Sequence, residues 1–256
     1  MIRLALPAYN EEPNITELLR DICLTFEEVL PHRSYEIVVV DDGSSDATAE
    51  RVGDFRQELD GDRFPNASIR LIRHEQNRGL AEAIRTGLMA CAEDSLDRDI
   101  ILTMDADNSH LPGLIPSMIR KVNEGHDVVI ASRYRPGARV LGLAAHRRLL
   151  SLGASWLFRT LFPIPDVRDY TCGFRAYRAV MLKKVMESNP DFFSEQGFTC
   201  MVDILLKLRL EDPPVLMTEV PLLLRYDKKV GASKMNVGRT VRDTFGLIGR
   251  RLMTRS

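Results

Sequence analysis

Residues 99–110 read Asp-Ile-Ile-Leu-Thr-Met-Asp-Ala-Asp-Asn-Ser-His. The apolar run Ile100–Met104 is too short for a helix, so it reads as a buried strand bounded by acids. Carboxylates are poor strand formers, so Asp105 begins what lies beyond the strand's carboxyl end. Alternation along an extended chain puts residues 105, 107 and 109 on one side. Two carboxylates, Asp105 and Asp107, with the hydroxyl of Ser109 then suit a hard divalent cation, Mg²⁺ or Mn²⁺. Such an ion usually completes its shell with phosphate oxygens, which implies a diphosphate ligand. His110 reads as a structural or capping residue rather than a metal ligand.

Outward from that strand, Ile2–Leu6, Tyr35–Val40, Ser68–Arg73 and Asp127–Ser132 are further β-branched runs. Helical patterns at Ile15–Leu30, Asp46–Leu59, Leu80–Glu93 and Pro112–Glu124 separate them, which predicts an α/β fold with a mostly parallel central sheet flanked by helices. Ligands of such folds bind outside the carboxyl ends of the strands. After the first strand comes Pro7-Ala8-Tyr9-Asn10-Glu11-Glu12, without the glycines of a dinucleotide fingerprint or phosphate loop. An aromatic ring and a carboxylate are offered instead, suited to a base or ribose. After the second strand, Asp41 and Asp42 crowd a strand end as a ligand-facing pair would, and Asp46 reads as a helix cap.

The chain has 256 residues, 45% hydrophobic and 28% charged, an ordinary globular composition. Residues 1–132 carry 13 basic and 25 acidic side chains and residues 133–256 carry 22 and 11, so the second half is expected to meet something anionic. Cys23, Cys91, Cys172 and Cys200 form no CxxC pair, which speaks against a zinc site or a disulfide scaffold and for a reduced, cytoplasmic chain. The start lacks the pattern of a signal peptide and no apolar stretch reaches a membrane span. The second half offers a basic amphipathic stretch at Val140–Phe162, a turn-rich segment at Asp166–Arg175, helices near Ala179–Ser188 and Phe198–Leu210, a strand-like Val215–Arg225 and a basic tail.

Taken together, PAYNE at 7–11, DDGSSD at 41–46, NRGLAEA at 77–83, DADNSH at 105–110, SRY at 132–134, RDYTCGFRAYR at 168–178, EVP at 219–221 and GASK at 231–234 resemble the inverting family 2 glycosyltransferases of GT-A fold, most closely the dolichol-phosphate mannose synthase group. The resemblance implies a GT-A domain over residues 1–235, with a nucleotide-sugar half (1–132) and an acceptor half with a lid loop (133–235), followed by the tail 236–256. It implies that Pro7, Tyr9, Glu11, Val40 and Asp42 hold the nucleoside and that Asp105, Ala106 and Asp107 sit at the diphosphate. Asp107 and Ser109, with Asp105 nearby, would bind Mg²⁺ or Mn²⁺, Arg133 would reach the donor, and Lys234 in the lid would meet donor phosphate. Lys228 stands where the group has arginine, keeping the charge but losing the planar fork.

From Val128 through Pro165 there is no Asp, Glu or Lys, yet there are six arginines. Arg147 and Ser151, four apart on a helix face, can clasp a phosphate monoester. Leu149, Leu150, Leu152, Trp156, Leu157, Phe158 and Phe162 around them read as an interfacial helix on an anionic membrane. The expected function is inverting transfer of a hexosyl group, mannose from GDP-mannose favoured, to a polyprenyl or dolichyl phosphate. Asp107 and Arg133 would act at the leaving diphosphate. Asp169 would be either a general base or the residue that orients an arginine such as Arg175 on the acceptor side. The alternatives are a saccharide or lipid hydroxyl acceptor, a UDP-sugar donor, or a noncatalytic binding module. The expected partners are a nucleotide sugar, a polyprenyl phosphate, the cytoplasmic face of a membrane and a membrane protein that delivers the lipid, with no nucleic acid.

Overall fold

Apolar β-branched runs separated by amphipathic helices leave the chain one economical way to bury both, a parallel sheet with helical crossovers. The computed structural model, in which residues 1–59, 63–231 and 237–253 are described, takes that course. The first half runs β1 (Ile2–Ala8), α1 (Glu12–Val29), β2 (Tyr35–Asp41), α2 (Thr48–Leu59), β3 (Ala67–Arg73), α3 (Leu80–Glu93) and β4 (Ile100–Thr103). A 3-10 turn at Pro112–Leu114, α4 (Ile115–Asn123) and β5 (Val128–Ser132) follow. Helix α1 buries a stripe at 3.6 spacing, Ile15, Leu18, Leu19, Ile22, Cys23 and Phe26. Helix α3 lies close on the sheet because Gly87 carries no side chain; a Cβ there would stand 2.9 Å from that of Ala5.

The second half supplies β6 (Arg139–Leu141), α5 (Ala145–Leu161), β7 (Arg175–Arg178), α6 (Ala179–Ser188), α7 (Thr199–Leu208), β8 (Met217–Pro221), β9 (Leu223–Arg225) and α8 (Val237–Met253). The main sheet has the order β3-β2-β1-β4-β7-β5-β8, and β6 pairs with β9 in a separate two-stranded ribbon. Strand β7 is antiparallel to both neighbours, with Ala176 opposite Leu102 on one side and Val129 on the other. Every other pairing in the main sheet is parallel.

Strand β7 is where the sequence reading fell short, since it ended a turn-rich segment at Arg175 and began a helix at Ala179. Four residues, Arg-Ala-Tyr-Arg, carry no alternation to read, and the strand is covered on both faces. Its anchor is Arg175 itself, 0% exposed. The guanidinium donates from Nε to the Cys172 carbonyl (2.9 Å), from Nη1 to that of Met201 (2.7 Å) and from Nη2 to that of Tyr170 (2.8 Å). The expectation that Arg175 serves the acceptor is therefore corrected: its donors are spent on carbonyls inside the protein. The strand-like stretch 215–225 divides into β8 and β9 on either side of Leu222. Residues 237–253 of the basic tail form a helix that buries Leu247 and Ile248 and pairs Arg250 with Glu195 at 2.6 Å. Among the described residues no helix is long and apolar enough to cross a membrane.

Replacing Arg175 with Met keeps the volume but strands three carbonyls. Urea denaturation of Arg175→Met should show a loss of roughly 3 kcal/mol.

Candidate active site

The carboxyl ends of β1, β2 and β4 open into a cleft of about 840 Å³. Beside it lies a largely apolar cavity of about 520 Å³, and the two meet at Pro7, Asp105, Arg147 and Tyr226.

The first half builds the cleft from interlocked turns. Asn10, in the left-handed region (φ 51), donates its N–H to Ser44 Oγ (2.9 Å) and accepts the Ser45 N–H (2.8 Å). Asp46 caps α2 as expected, accepting the Thr48 N–H at 3.0 Å. Pro7, Tyr9, Glu11, Asp42, Ala106 and Asp107 all line the cleft. Asp42 is heavily engaged, however. Its Oδ1 meets His74 Nδ1 (2.7 Å) and the Arg78 N–H (2.9 Å), and its Oδ2 accepts the Gly79 N–H (2.8 Å). Asp42 thus shapes the wall by tying residues 77–79 to the strand end. Val40 is a correction: it is fully buried and faces Gly87 of α3, behind the cleft.

Beyond β4 the extended alternation expected for 105–109 does not occur. The strand ends at Thr103 and Asn108 turns left-handed (φ 60). Asp107 and Ser109 are nonetheless joined, because Ser109 donates to Asp107 Oδ1 from its N (3.1 Å) and its Oγ (2.5 Å). The other oxygen, Asp107 Oδ2, accepts from Lys229 Nζ at 2.6 Å. Burial pushes the Asp107 carboxyl up, but Lys229, His110 and the Ser109 bond outweigh it and leave it below the usual carboxylate range. Asp105 lies next to this turn, and enclosure together with the Asp107 charge raises its pKa despite His110 and Lys229. His110 lies tilted against Phe174 (ring centroids 5.4 Å apart, planes at 39°); its buried Nδ1 has no hydrogen-bond partner among the described residues and stands 3.9 Å from Asp105 Oδ2.

The turn fits a hard cation, since it presents oxygen donors and already draws an ammonium to Asp107. Among the described residues no group of three His, Cys, Asp or Glu forms a self-contained metal cage, so further ligands would have to come from a substrate.

Lys229 is the residue the sequence reading missed. The expectation had fallen on its neighbour Lys228, which turns outward to Glu17 (3.7 Å). The loop is pinned by Asn14, whose side chain accepts the Val230 N–H and donates to the Val230 carbonyl, both at 3.1 Å. Only the adjacent pair of lysines could have flagged position 229. Lys234 lies outside the described residues.

In the wall of the apolar cavity, Arg133 is gripped by Asp169. Arg133 Nε donates to Oδ2 (2.8 Å) and Nη2 to Oδ1 (2.6 Å), and Nη2 also meets Thr171 Oγ1. Asp169 further accepts the N–H groups of Arg133 (3.0 Å) and Cys172 (3.1 Å). Burial pushes the Asp169 carboxyl up, but Arg133 and these N–H donors outweigh it and hold it below the usual range. The same pairing holds Arg133 protonated against its own desolvation. The arginine that Asp169 orients here is Arg133, not Arg175. Behind the pair, Glu219 Oε1 accepts the N–H groups of Arg168 and Asp169, both at 2.6 Å, giving the EVP segment a place in the site. Arg147 and Ser151 line the apolar cavity. Arg147 lies over the Tyr226 ring (5.8 Å) and Ser151 Oγ shares a hydrogen bond with the Tyr134 hydroxyl (2.6 Å). Cys172 also lines this cavity, but burial pushes its thiol up to about 12, which removes it as a nucleophile.

A family model described as Glycosyl transferase family 2 matches residues 4–186. A dolichol-phosphate mannosyltransferase of Pyrococcus furiosus is 33% identical over 241 residues, covering 94% of this chain and 60% of that protein. The chain thus spans less than two thirds of that relative's length. A polyprenol monophosphomannose synthase of Mycolicibacterium smegmatis is 30% identical over 242 residues, covering 94% of this chain and 82% of that protein. Among solved structures, glucosyl-3-phosphoglycerate synthase from Mycobacterium tuberculosis, in complex with Mn²⁺, UDP and phosphoglyceric acid, superposes with a TM-score of 0.64 at 19% identity, over 99% of this chain and 78% of that one. At that identity the likeness is one of fold.

Because the folded pKa of Asp169 is depressed, the stability it contributes is present in full above the ordinary carboxylate value of about 4 and lost as pH falls below it. Asp169→Asn should cost about 3 kcal/mol at neutral pH by leaving Arg133 buried and unpaired. In urea denaturation, the gap between variant and parent should narrow toward about pH 3.

Proposed function

Since the chain belongs to glycosyl transferase family 2, we propose that it transfers a mannosyl group from GDP-mannose to a polyprenyl phosphate, inverting the anomeric centre. The fold is the GT-A arrangement, a mixed sheet flanked by helices. One observation carries the reading: a polar cleft sized for a nucleoside diphosphate sugar opens into an apolar cavity, and Arg147 and Asp105 stand at the junction. A saccharide acceptor would have little use for the apolar side. The two relatives' names, dolichol-phosphate mannosyltransferase and polyprenol monophosphomannose synthase, support the same choice.

In this reading Pro7, Tyr9 and Glu11 line the nucleoside's place and Asp105, Ala106 and Asp107 face its diphosphate. Asp107, Ser109 and Asp105 would hold Mg²⁺ or Mn²⁺, in keeping with the Mn²⁺ of the mycobacterial synthase. Such an ion, when bound, offsets the negative charge of the leaving diphosphate. Lys229 keeps Asp107 paired until the donor arrives. Asp169 holds Arg133 so that Nη1, which makes no hydrogen bond among the described residues, is the donor left for phosphate oxygen. A phosphate monoester has its second pKa near about 6, so the acceptor is already an anion at neutral pH and needs no strong base. That agrees with Asp169 being occupied with Arg133 rather than available to take a proton. Arg147 and Ser151 receive the acceptor phosphate, and the cavity walls, Leu150 and Leu157 among them, receive its hydrocarbon. The exposed side chains of Leu149 (71%) and Trp156 (68%) on α5 suit peripheral contact with a membrane.

The test incubates the protein with GDP-mannose labelled in the sugar, a short-chain polyprenyl phosphate and Mn²⁺ or Mg²⁺, and follows label into the organic phase. Transfer should stop on chelation and in Asp107→Ala. Arg147→Ala should raise the acceptor KM about tenfold or more with the donor KM unchanged. Label passing to a saccharide instead would overturn the acceptor assignment.

A further inference from the structure

Behind the wall that holds Arg133 lies a second, separate cavity of about 290 Å³. Neighbouring residues divide between the two sites. Arg133, Asp169 and Thr171 interact with one another on the active-site side, whereas Arg135, Arg168 and Tyr170 line the second cavity. Arg159, from the last turn of α5, is the third arginine in its lining.

These arginines are short of partners. The guanidinium groups of Arg135 and Arg159 make no hydrogen bond or ion pair among the described residues, and that of Arg168 has one long contact, 3.4 Å, to the Tyr134 carbonyl. The one acid lining the cavity is Asp166, exposed, which leaves a net charge of +2. The Tyr170 hydroxyl is already satisfied, donating to the Phe162 carbonyl (2.8 Å) and accepting the Ile164 N–H (3.0 Å). Three cations lining one small cavity repel one another, and a phosphate oxygen cluster is the ligand that planar guanidinium forks match.

The position of the cavity identifies the source of that phosphate. Arg159 follows Trp156 by three residues, one helical turn, and Trp156 follows Leu152 by four, so the exposed apolar stripe of α5 runs up to that arginine. We propose that this cavity binds the phosphate of an anionic phospholipid head group, at a site distinct from the one that takes the acceptor. The acyl chains then lie along the Leu152–Trp156 stripe. Arg168 precedes Asp169 and shares with it the Glu219 carboxylate, so the head group docks on the back of the segment that fixes Arg133.

The probe is dihexanoyl phosphatidylglycerol below its micelle-forming concentration, titrated by NMR or calorimetry onto the Arg147→Ala protein, in which the acceptor phosphate subsite is disabled. No turnover is read, so a failure of the transfer assay leaves this test intact. Saturable binding is expected, weakened tenfold or more in Arg159→Gln and in Arg135→Gln/Arg159→Gln and unchanged in Arg148→Gln, a control on the same helix. Arg159 is exposed, so the single variant retains a readout if the double one unfolds. Equal weakening in Arg148→Gln would reduce the effect to diffuse charge attraction and overturn the site. Inorganic phosphate binding as tightly as the lipid would overturn the lipid source. Absence of saturable binding would overturn both.

Discussion

The site depends on a buried ion pair that would be costly anywhere else. Removing Arg133 and Asp169 from water is repaid only if the geometry is good and the remaining donors and lone pairs are met. The carboxylate is fully met, since the fork of Arg133 reaches both of its oxygens and backbone N–H groups supply the rest, while Nη1 of Arg133 is left over among the described residues. That condition constrains the fold around it. Residues 168–174 must pass beside the end of β5, and β7 must then return antiparallel between β4 and β5. Arg175 holds the start of that return by bonding to carbonyls on both sides of it. Glu219, on β8 beside β5, clamps the loop from behind.

The parallel half was legible because its signals are redundant. Each of β1–β5 is a short stretch rich in apolar residues, β1–β4 each have a helical period after them, and α3 and α6 fall on the residues their periodicity indicated. Strand β7 was not legible, because a four-residue strand buried on both faces shows no period and its stability comes from one arginine's contacts with distant carbonyls. The acidic turn was legible in composition but not in conformation. Asp107 and Ser109 meet through a left-handed Asn108 rather than through strand alternation, since alternation ends where the ladder ends.

Side-chain direction was the hardest thing to read. A basic loop segment announces itself, but which of Lys228 and Lys229 faces inward depends on Asn14, more than two hundred residues away, fixing the Val230 peptide. Likewise, Val40 and Asp42 are two apart on one chain, yet the strand hands one to the core beneath α3 and the other to the turn at residues 77–79. Arg175 looked like a ligand for an anion because arginine in a loop usually is exposed. Only the tertiary structure shows its guanidinium buried among carbonyls.

The charge asymmetry between the two halves also has a structural meaning. The halves meet in the cleft, with Lys229 of the basic half on Asp107 of the acidic half. An anionic diphosphate entering a cleft floored by Asp105 and Asp107 would be repelled unless positive charge accompanies it. Lys229 supplies one such charge from the loop, and Arg133 supplies another that cannot move without unpairing the buried Asp169 carboxylate. The two cations are held differently: Arg133 reaches both oxygens of a buried carboxylate, whereas Lys229 meets one oxygen of Asp107 from a loop that Asn14 pins at Val230.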